Sequence, residues 1–276
     1  MDIQPGISVL INTLNEAANI ADCIRSVQGL ADEVVVCDMQ SDDDTAAIAR
    51  SLGARVISIE WAEGKYQRMR YLGVQATTHE WVLALDADER MTDRLRAHLQ
   101  ELARNSSIDV VRFGKLYWYF GGWVRHGIFF SQQPLFFRRT VFLANFQEQT
   151  FQAHADWAAL NGVRQAVTLP FDYHVLHYAY PSIEKYASKT IGMYARVEAE
   201  TMHQAGRRFQ LHRMILQPIK IFMVSFFLKA GYRDGLRGFI ITTLYSVYRF
   251  ATWANLWLLE ELARNESQTP DTQHAR

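Results

Sequence analysis

The chain has few cysteines, no excess of either charge and none of the common phosphate-binding loop motifs. Its two cysteines, Cys23 and Cys37, each lie in an apolar segment, which is typical of reduced buried thiols and not of a disulfide framework. Lysine plus arginine and aspartate plus glutamate both total 29, so the formal net charge is zero. Because no overall positive field recruits nucleic acid, we expect no nucleic-acid partner.

Further absences narrow the class of protein. Residues 1–6 lack the basic start and long apolar stretch of a signal peptide, so we expect a cytoplasmic protein. Neither Gly-x-x-x-x-Gly-Lys-Ser/Thr nor Gly-x-Gly-x-x-Gly occurs, which argues against a P-loop ATPase and a dinucleotide-dependent dehydrogenase. A phosphate group bound here would therefore need a cation to hold it. The chain's 276 residues, 49% of them hydrophobic, can bury a sizeable core.

Hydrophobic periodicity predicts an α/β protein over residues 7–113. Short runs rich in β-branched or aromatic residues alternate with helical patterns, which is typical of βαβ units around a largely parallel sheet. The candidate strands are 7–11, 34–37, 55–59, 81–85 and 109–113. We expect Asn15 to cap the first helix and Asp43 or Asp44 to cap the second.

Two carboxylates, Asp86 and Asp88, directly follow the apolar run 81–85. Open α/β sheets bind ligands at the carboxyl ends of their strands. Side chains two apart on an extended segment point the same way, so both carboxylates can converge on Mg²⁺ or Mn²⁺. The alternative is that these acids lie on a solvated turn or help to cap the helix that follows Thr92.

Polar side chains also follow the first two candidate strands: Thr13, Asn15 and Glu16 after the first, and Asp38 after the second. In a doubly wound sheet these groups gather along one edge with Asp86 and Asp88. This arrangement predicts acceptors for a base and ribose at one end and a metal for phosphates at the other.

The later part of the chain changes character. An aromatic stretch, 117–123, predicts a loop or edge structure that either builds a sugar-stacking wall or fills a core. From residue 181 the pattern is helical, with two apolar blocks, 219–228 and 239–259, and basic residues between them. Arg249 in the second block disfavours a bilayer span, so we expect helices lying in the membrane interface. The alternative is that the same apolar faces pack on the globular domain or on a second copy of the chain.

Three motifs, 7–16 (ISVLINTLNE), 33–38 (EVVVCD) and 81–90 (WVLALDADER), resemble family 2 glycosyltransferases in sequence and spacing. In particular they are similar to bacterial β-1,4-glucosyltransferases that extend the lipopolysaccharide core. The likeness continues through 120–127 (FGGWVRHG), 136–139 (FFRR), 177–180 (HYAY), Lys189 and 231–235 (GYRDG). It therefore covers nearly the whole chain.

The resemblance implies a GT-A fold with a Rossmann-like nucleotide-sugar-binding domain, a mixed central sheet and a C-terminal helical region. It divides the chain into a nucleotide-sugar-binding half (1–115), an acceptor-side half (116–180), amphipathic helices (181–264) and a disordered tail (265–276). It also implies a nucleotide-sugar donor, most often a UDP-sugar, a Mg²⁺ or Mn²⁺ requirement and transfer with inversion.

Residue roles carry over from the same resemblance. Thr13 and Glu16 are expected near the nucleoside, Asp38 at the uracil ring, Asp86 near the ribose or a metal-bound water, and Asp88 on the metal itself. The other residues expected to bind the nucleotide sugar are Asn15, Asp43, Lys65 and Arg68. The segment 39–44 departs from the family pattern, in which small residues and glycines usually follow the acid.

Inverting transfer needs a carboxylate that removes the proton of the acceptor hydroxyl. The family usually places this base in a His-Glu pair, whereas this chain reads Ala153-His154-Ala155-Asp156-Trp157. We expect Asp156 as the base and Glu148 as the second candidate. The residues expected on the acceptor or product side are Trp123, Arg125, His126, His154 and His177.

The sequence thus predicts a metal-dependent hexosyltransferase, peripherally associated with the inner membrane, that moves a hexose, with glucose favoured, onto a lipid-anchored glycan such as lipopolysaccharide core. Two alternatives stay open: a polyprenyl-phosphate glycosyltransferase, and a catalytically inactive nucleotide-sugar-binding scaffold. A homo-oligomer also stays open.

Overall fold

A computed structural model describes residues 4–60, 66–104, 107–127, 132–146, 158–160 and 162–268. The chain divides into two compact units. The first comprises Met1–Trp123 and Phe129–Ala179, and the second comprises Val124–Ile128 and Tyr180–Arg276. Glu148, His154, Asp156 and Lys65 lie outside the described residues, so their expected roles stay predictions.

The described residues contain ten strands and nine α-helices. The strands are β1 Gln4–Thr13, β2 Glu33–Asp38, β3 Arg55–Ser58, β4 His79–Asp86, β5 Glu89–Arg90, β6 Val110–Tyr119, β7 Gly122–Val124, β8 Gln133–Arg138, β9 Ala166–Thr168 and β10 His174–Tyr180. The helices are α1 Ile20–Ser26, α2 Thr45–Ser51, α3 Tyr66–Ala76, α4 Asp93–Leu102, α5 Arg139–Asn145, α6 Ile183–Tyr186, α7 Ala195–Gln204, α8 Leu211–Met223 and α9 Gly235–Gln268. Short 3₁₀ turns occupy Ala158–Leu160 and Gly231–Asp234, and π-helical segments occupy Ala187–Tyr194 and Val224–Leu228.

A mixed sheet with the order β3-β2-β1-β4-β8-β6-β10-β5 forms the centre of the first unit, with β7 and β9 paired to β6. Strands β1 to β4 are parallel to one another, whereas β8 is antiparallel to both β4 and β6. All five predicted strands are present, and the α/β class is confirmed. The parallel half ends at β4, where β8, an antiparallel strand from later in the sequence, continues the sheet.

The core of the first unit lies on both faces of the parallel strands. Val9, Leu10 and Ile11 are consecutive in β1 and fully buried, as expected for a strand covered by helices on either side. Helix α3 approaches especially closely at Gly73, where an added Cβ would lie 2.8 Å from Cys37 Sγ and 2.9 Å from Leu10 Cδ1. A larger residue there would push the helix away from the sheet.

The second unit is helical and has its own small core. Ala199 and Met202 of α7 pack with Trp253 and Leu256 of α9. Arg249, the charge inside the predicted apolar block, donates to both carboxylate oxygens of Glu198 at 2.6 and 2.8 Å. This pair explains how α9 carries a half-buried arginine, and it fixes α9 against α7.

One capping prediction is wrong. Helix α1 begins after Asn19, while Asn15 adopts a left-handed conformation with φ 55°. Asparagine adopts this region more readily than most residues, and here Asn15 Oδ1 accepts a hydrogen bond from Asp42 N in the neighbouring loop at 2.8 Å. Asp44 occupies the position before α2, as predicted, but its side chain makes no capping hydrogen bond.

Candidate active site

The strand register brings the polar ends of β1, β2 and β4 together. Thr13 lies opposite Asp38, and Asn12 lies opposite Asp86. All three strands run in the same direction, so their carboxyl ends share one edge of the sheet. The strand register therefore brings the backbones of these residues to the same edge, as the sequence predicts.

Side-chain hydrogen bonds connect two loops at this edge. Asn15 N donates to Ser41 Oγ at 2.9 Å, and Glu16 N donates to Thr45 Oγ1 at 2.8 Å. Asp43 accepts from Ala17 N at 3.0 Å, and its bonds with Thr45 lower the pKa of the Asp43 carboxyl. Asp43 thus connects the two loops, a task that differs from the donor contact expected of it.

The buried polar groups of this edge include side chains that the described part of the chain leaves unsatisfied. Asp38 is 6% exposed and accepts from Ser41 Oγ at 2.6 Å. By contrast, Thr13 Oγ1 and both polar side-chain atoms of Asn12 have no hydrogen-bond partner among the described residues. Buried polar atoms are normally paired, so a ligand that bonds to them would remove a cost. Sequence reasoning missed Asn12.

Asp86 is held between two cations. Its carboxylate lies 3.7 Å from Lys115 Nζ and 3.8 Å from an Arg70 guanidinium nitrogen. Although burial opposes ionisation, Lys115 and Arg70 together lower the pKa of the Asp86 carboxyl. Asp86 is therefore an anion in the folded protein.

Lys115 and Glu89 form a buried pair beneath this carboxylate. Glu89 is fully buried and Lys115 is 6% exposed, and the Lys115 ammonium group contacts Glu89 Oε1. Glu89 Oε2 accepts from the backbone N–H of Asp86 at 3.1 Å. The pair thus fixes the turn that carries both aspartates. Sequence reasoning missed it, although a single lysine in the apolar strand β6 is a usable signal.

Asp88 faces a histidine from β10. His177 Nε2 lies 3.3 Å from Asp88 Oδ2, and Tyr178 N donates to the Asp88 carbonyl at 2.9 Å. Burial favours the neutral ring, but the Asp88 carboxylate outweighs it and raises the pKa of His177. The ring of Tyr117 packs on His177 with centroids 5.0 Å apart. His177 therefore lies beside the predicted metal-binding acid.

The basic segment after Gly64 contributes Arg70 to the described site. Arg70 lies one turn before Gly73 on α3, so the close approach of this helix to the sheet brings its guanidinium group to Asp86. Arg68, the predicted contact, is exposed two residues earlier. Sequence reasoning did not select Arg70. The sequence alone does not show which residues of a helix face solvent and which face the site.

The predicted acceptor-side residues divide between the two units. Trp123 belongs to the first unit, where its ring lies 5.4 Å from that of Tyr178. Arg125 and His126 belong to the second unit, and both donate their backbone N–H groups to Asp234 Oδ2, at 3.0 and 2.8 Å. His126 Nδ1 also lies 3.0 Å from Asp234 Oδ1. These contacts hold Arg125 and His126 against Asp234 within the second unit.

The residues at this site can hold a cation if most of its ligands come from a bound phosphate group and from water. Among the described residues, no group of three His, Cys, Asp or Glu side chains is arranged to hold a metal alone. Asp88 and His177 offer one carboxylate and one imidazole side by side. Mg²⁺ commonly binds through one or two carboxylates plus phosphate oxygens and waters. The residues present fit such an ion, provided that a diphosphate completes its shell.

Sequence comparison decides the family. The profile described as Glycosyl transferase family 2 matches residues 8–167, which is more than half of the chain. The chain belongs to glycosyl transferase family 2. The resemblance found from the motifs is thereby confirmed, and the protein is a glycosyltransferase.

Full-length relatives support the same family 2 membership. An uncharacterised glycosyltransferase of Rickettsia typhi is 27% identical, covering 94% of this chain and 89% of the relative. The lipopolysaccharide core biosynthesis glycosyltransferase LpsC of Rhizobium meliloti is 25% identical, covering 91% of this chain and 92% of the relative.

A solved structure shares the fold of this family 2 chain. The glucosyl-3-phosphoglycerate synthase of Mycobacterium tuberculosis, crystallised with Mn²⁺, UDP and glucosyl-3-phosphoglycerate, superposes with a TM-score of 0.51 at 20% identity. The match covers 74% of this chain and 81% of the synthase. At this identity the likeness establishes the GT-A-like fold alone.

Proposed function

We propose that the protein transfers a hexose, glucose first among the candidates, from a UDP-sugar to a lipid-anchored glycan such as lipopolysaccharide core. The observation that carries the proposal is the Asp86–Asp88 turn at the carboxyl edge of the parallel strands, held by Lys115, Glu89 and Arg70. A fixed acidic turn beside cations is suited to a metal–diphosphate group. The similar synthase structure with UDP and Mn²⁺ supports the same donor class.

In this proposal Asp88 and His177 hold Mg²⁺ or Mn²⁺, with Asp86 close by. Once bound, the ion supplies charge stabilisation to the leaving nucleoside diphosphate. Arg70 adds a fixed positive charge at the same edge, and Asp38 with Thr13 offers hydrogen-bonding groups to the base. Asn15, Glu16 and Asp43 shape the loops around the nucleoside.

Transfer with inversion requires a carboxylate on the acceptor side, opposite the diphosphate. Asp156 is the proposed base and Glu148 the alternative, with His154, Lys65 and Arg68 as further candidates for contacts to donor or acceptor. Trp123 and Tyr178 form an aromatic pair suited to pack on a sugar ring.

The relatives and the second unit support the proposed acceptor and location. The relative LpsC is named for lipopolysaccharide core biosynthesis, and lipid-anchored glycans are built at a membrane. We propose that the protein acts at the cytoplasmic face of the inner membrane as a peripheral protein. Exposed apolar side chains on α8, including Ile215, Ile219 and Met223, support this location.

A donor screen that measures release of nucleoside diphosphate tests the proposal. We expect release with a UDP-hexose and a lipid-linked glycan, dependent on Mn²⁺ or Mg²⁺, and loss of at least a hundredfold in Asp88→Ala. Asp22→Ala, which alters an exposed acid on α1, is the matched control. Full turnover in Asp88→Ala would remove the metal role, and transfer to polyprenyl phosphate alone would favour the alternative enzyme. UDP binding without transfer to any lipid extract would indicate a scaffold.

A further inference from the structure

The second unit carries an apolar surface that its own core does not cover. No side chain of α8 is fully buried. Seven large apolar side chains of α8 and of the π-helical segment that follows it are between 49% and 79% exposed, namely Leu211, Ile215, Leu216, Ile219, Met223, Phe227 and Leu228. We call these seven side chains the α8 face. Such a contiguous patch marks an interaction surface.

The opposite side of the same helix is already occupied. Gln217 accepts a hydrogen bond from the indole N–H of Trp253, and Ser225 Oγ lies 3.4 Å from Thr242 Oγ1. Both partners belong to α9. The α8 face therefore points away from α9, and each of its side chains keeps about half or more of its surface exposed.

The charge around the α8 face is strongly one-sided. Residues 211–239 contain five lysines and arginines, namely Arg213, Lys220, Lys229, Arg233 and Arg237. The single acid in this range, Asp234, pairs with His126. Among described residues none of the five cations forms a salt bridge with an acid. In a chain of zero formal net charge, this segment is distinctly cationic.

We propose that the α8 face docks on a bilayer rich in anionic phospholipid, with the helix lying in the plane of the interface. Apolar side chains enter the acyl boundary, while Lys220, exposed on the same helix, pairs with phosphate headgroups. Charge complementarity selects an anionic membrane over a second copy of the chain, because two such faces would repel each other. The inference deepens the proposed function by naming the docking surface and the lipid class.

The stretch Leu211–Leu228 is also long and apolar enough to cross a membrane by length and composition. Three features of this stretch favour in-plane docking over a membrane span. A span exposes apolar side chains all round, whereas this helix keeps one side on α9 through Gln217 and Ser225. Lys220 lies near the middle of the stretch, and Pro218 interrupts its hydrogen bonding.

Sedimentation of the full chain with vesicles tests the docking surface. We expect binding to phosphatidylcholine vesicles that contain phosphatidylglycerol, weaker binding as salt rises, and little binding to phosphatidylcholine alone. Ile219→Glu should weaken binding at least tenfold. Ile183→Glu is the matched control, since Ile183 is 50% exposed and Ile219 55%, and it should change binding little beyond the small effect of one added negative charge.

A second pair of variants separates charge from apolar contact. Lys220→Ala should weaken vesicle binding about fivefold, the value expected for one cation at an anionic surface. Lys185→Ala, an exposed lysine on α6, should leave binding unchanged. Circular dichroism of each variant checks folding.

Three results would overturn the proposal. Equal binding to neutral vesicles would remove the lipid selectivity, and resistance of the bound protein to alkaline carbonate would indicate a span. A dimer in analytical ultracentrifugation that Ile219→Glu dissociates, without vesicle binding by either form, would assign the α8 face to a second copy. Because these measurements use neither donor nor acceptor, failure of docking and failure of sugar transfer are distinguished.

Discussion

Lys115 is a buried lysine whose ammonium group lies between two carboxylates. Replacing it with methionine leaves the buried Glu89 and the partly exposed Asp86 beside an apolar group. We expect Lys115→Met to lower the free energy of unfolding by about 3–5 kcal/mol, the usual cost of removing one partner of a buried pair. Urea denaturation measures it. The double variant Glu89→Gln with Lys115→Met should cost less than the sum of the single variants, and simple additivity would contradict the pairing.

Glu33 gives the protein a pH-dependent contribution to stability. Burial opposes its ionisation, but hydrogen bonds from Arg55, Ser8 and Thr78 lower the pKa of Glu33 from 4.5 to about 2. A depressed carboxyl pKa stabilises the fold above the unfolded value and loses this effect as pH falls from 4.5 towards 2.

The comparison of Glu33→Gln with wild type tests this dependence. Its stability deficit should be full at neutral pH and should shrink between pH 4.5 and 2, measured by denaturation at each pH. Glu101→Gln, on an exposed part of α4, is the control. A deficit that stays constant across this pH range would refute the assignment.

Gln40 occupies a backbone conformation that favours glycine, with φ 63°. It stands in the segment after Asp38 where family 2 chains usually carry small residues and glycines. A left-handed conformation costs an L-residue about 1–2 kcal/mol, so Gln40→Gly should stabilise the protein by about 1 kcal/mol and raise Tm by about 2–4 °C. Gln40→Ala should give no such gain. Equal melting temperatures for both variants would show that the loop is unstrained.

At the scale of elements, the contact of α3 with the sheet decides where Arg70 lies. Gly73→Ala would insert a methyl group 2.8 Å from Cys37 Sγ, which we expect to cost about 1–3 kcal/mol and to raise KM for the donor by moving Arg70 from Asp86. Gly192→Ala is the matched helical control, since its nearest contact would be an ordinary 3.7 Å. If Gly73→Ala lowers stability but leaves KM unchanged, the close packing at Gly73 does not contribute to donor binding.

The sequence predicts the parallel half of the fold better than the antiparallel half. Strands β1, β2 and β4 are recognisable because each is a short apolar run ending in polar residues. The short strands β5 and β9 depend on pairing partners far along the chain, which local periodicity does not encode.

The same distinction holds for the candidate site. Asp86, Asp88 and Asp38 were found because they directly follow strands. Lys115 and Glu89 were missed, because only the sheet brings β6 beside the acidic turn. His177 was assigned to the acceptor or product side, which stays a prediction, and the strand register that places it opposite Glu89 and beside Asp88 could not be read from the sequence.

At the scale of the whole molecule, the two units should respond to different ligands. UDP with Mn²⁺ should slow hydrogen exchange at residues 12–16, 38–45 and 86–90, all in the first unit. Anionic vesicles should slow exchange at 211–228 in the second unit. Hydrogen exchange followed by mass spectrometry measures both, with UDP plus EDTA as the control. Protection of 211–228 by the nucleotide would contradict separate sites.

The buried pair beneath the acidic turn also bears on the working cycle of the protein. The carboxylates of Asp86 and Glu89 have the positive charges of Lys115 and Arg70 already beside them. These cations offset the repulsion between the carboxylates of the turn, so the turn can keep its arrangement when the spent nucleotide departs. Each round of sugar transfer can begin from a scaffold that is already assembled, without first reordering the acidic turn.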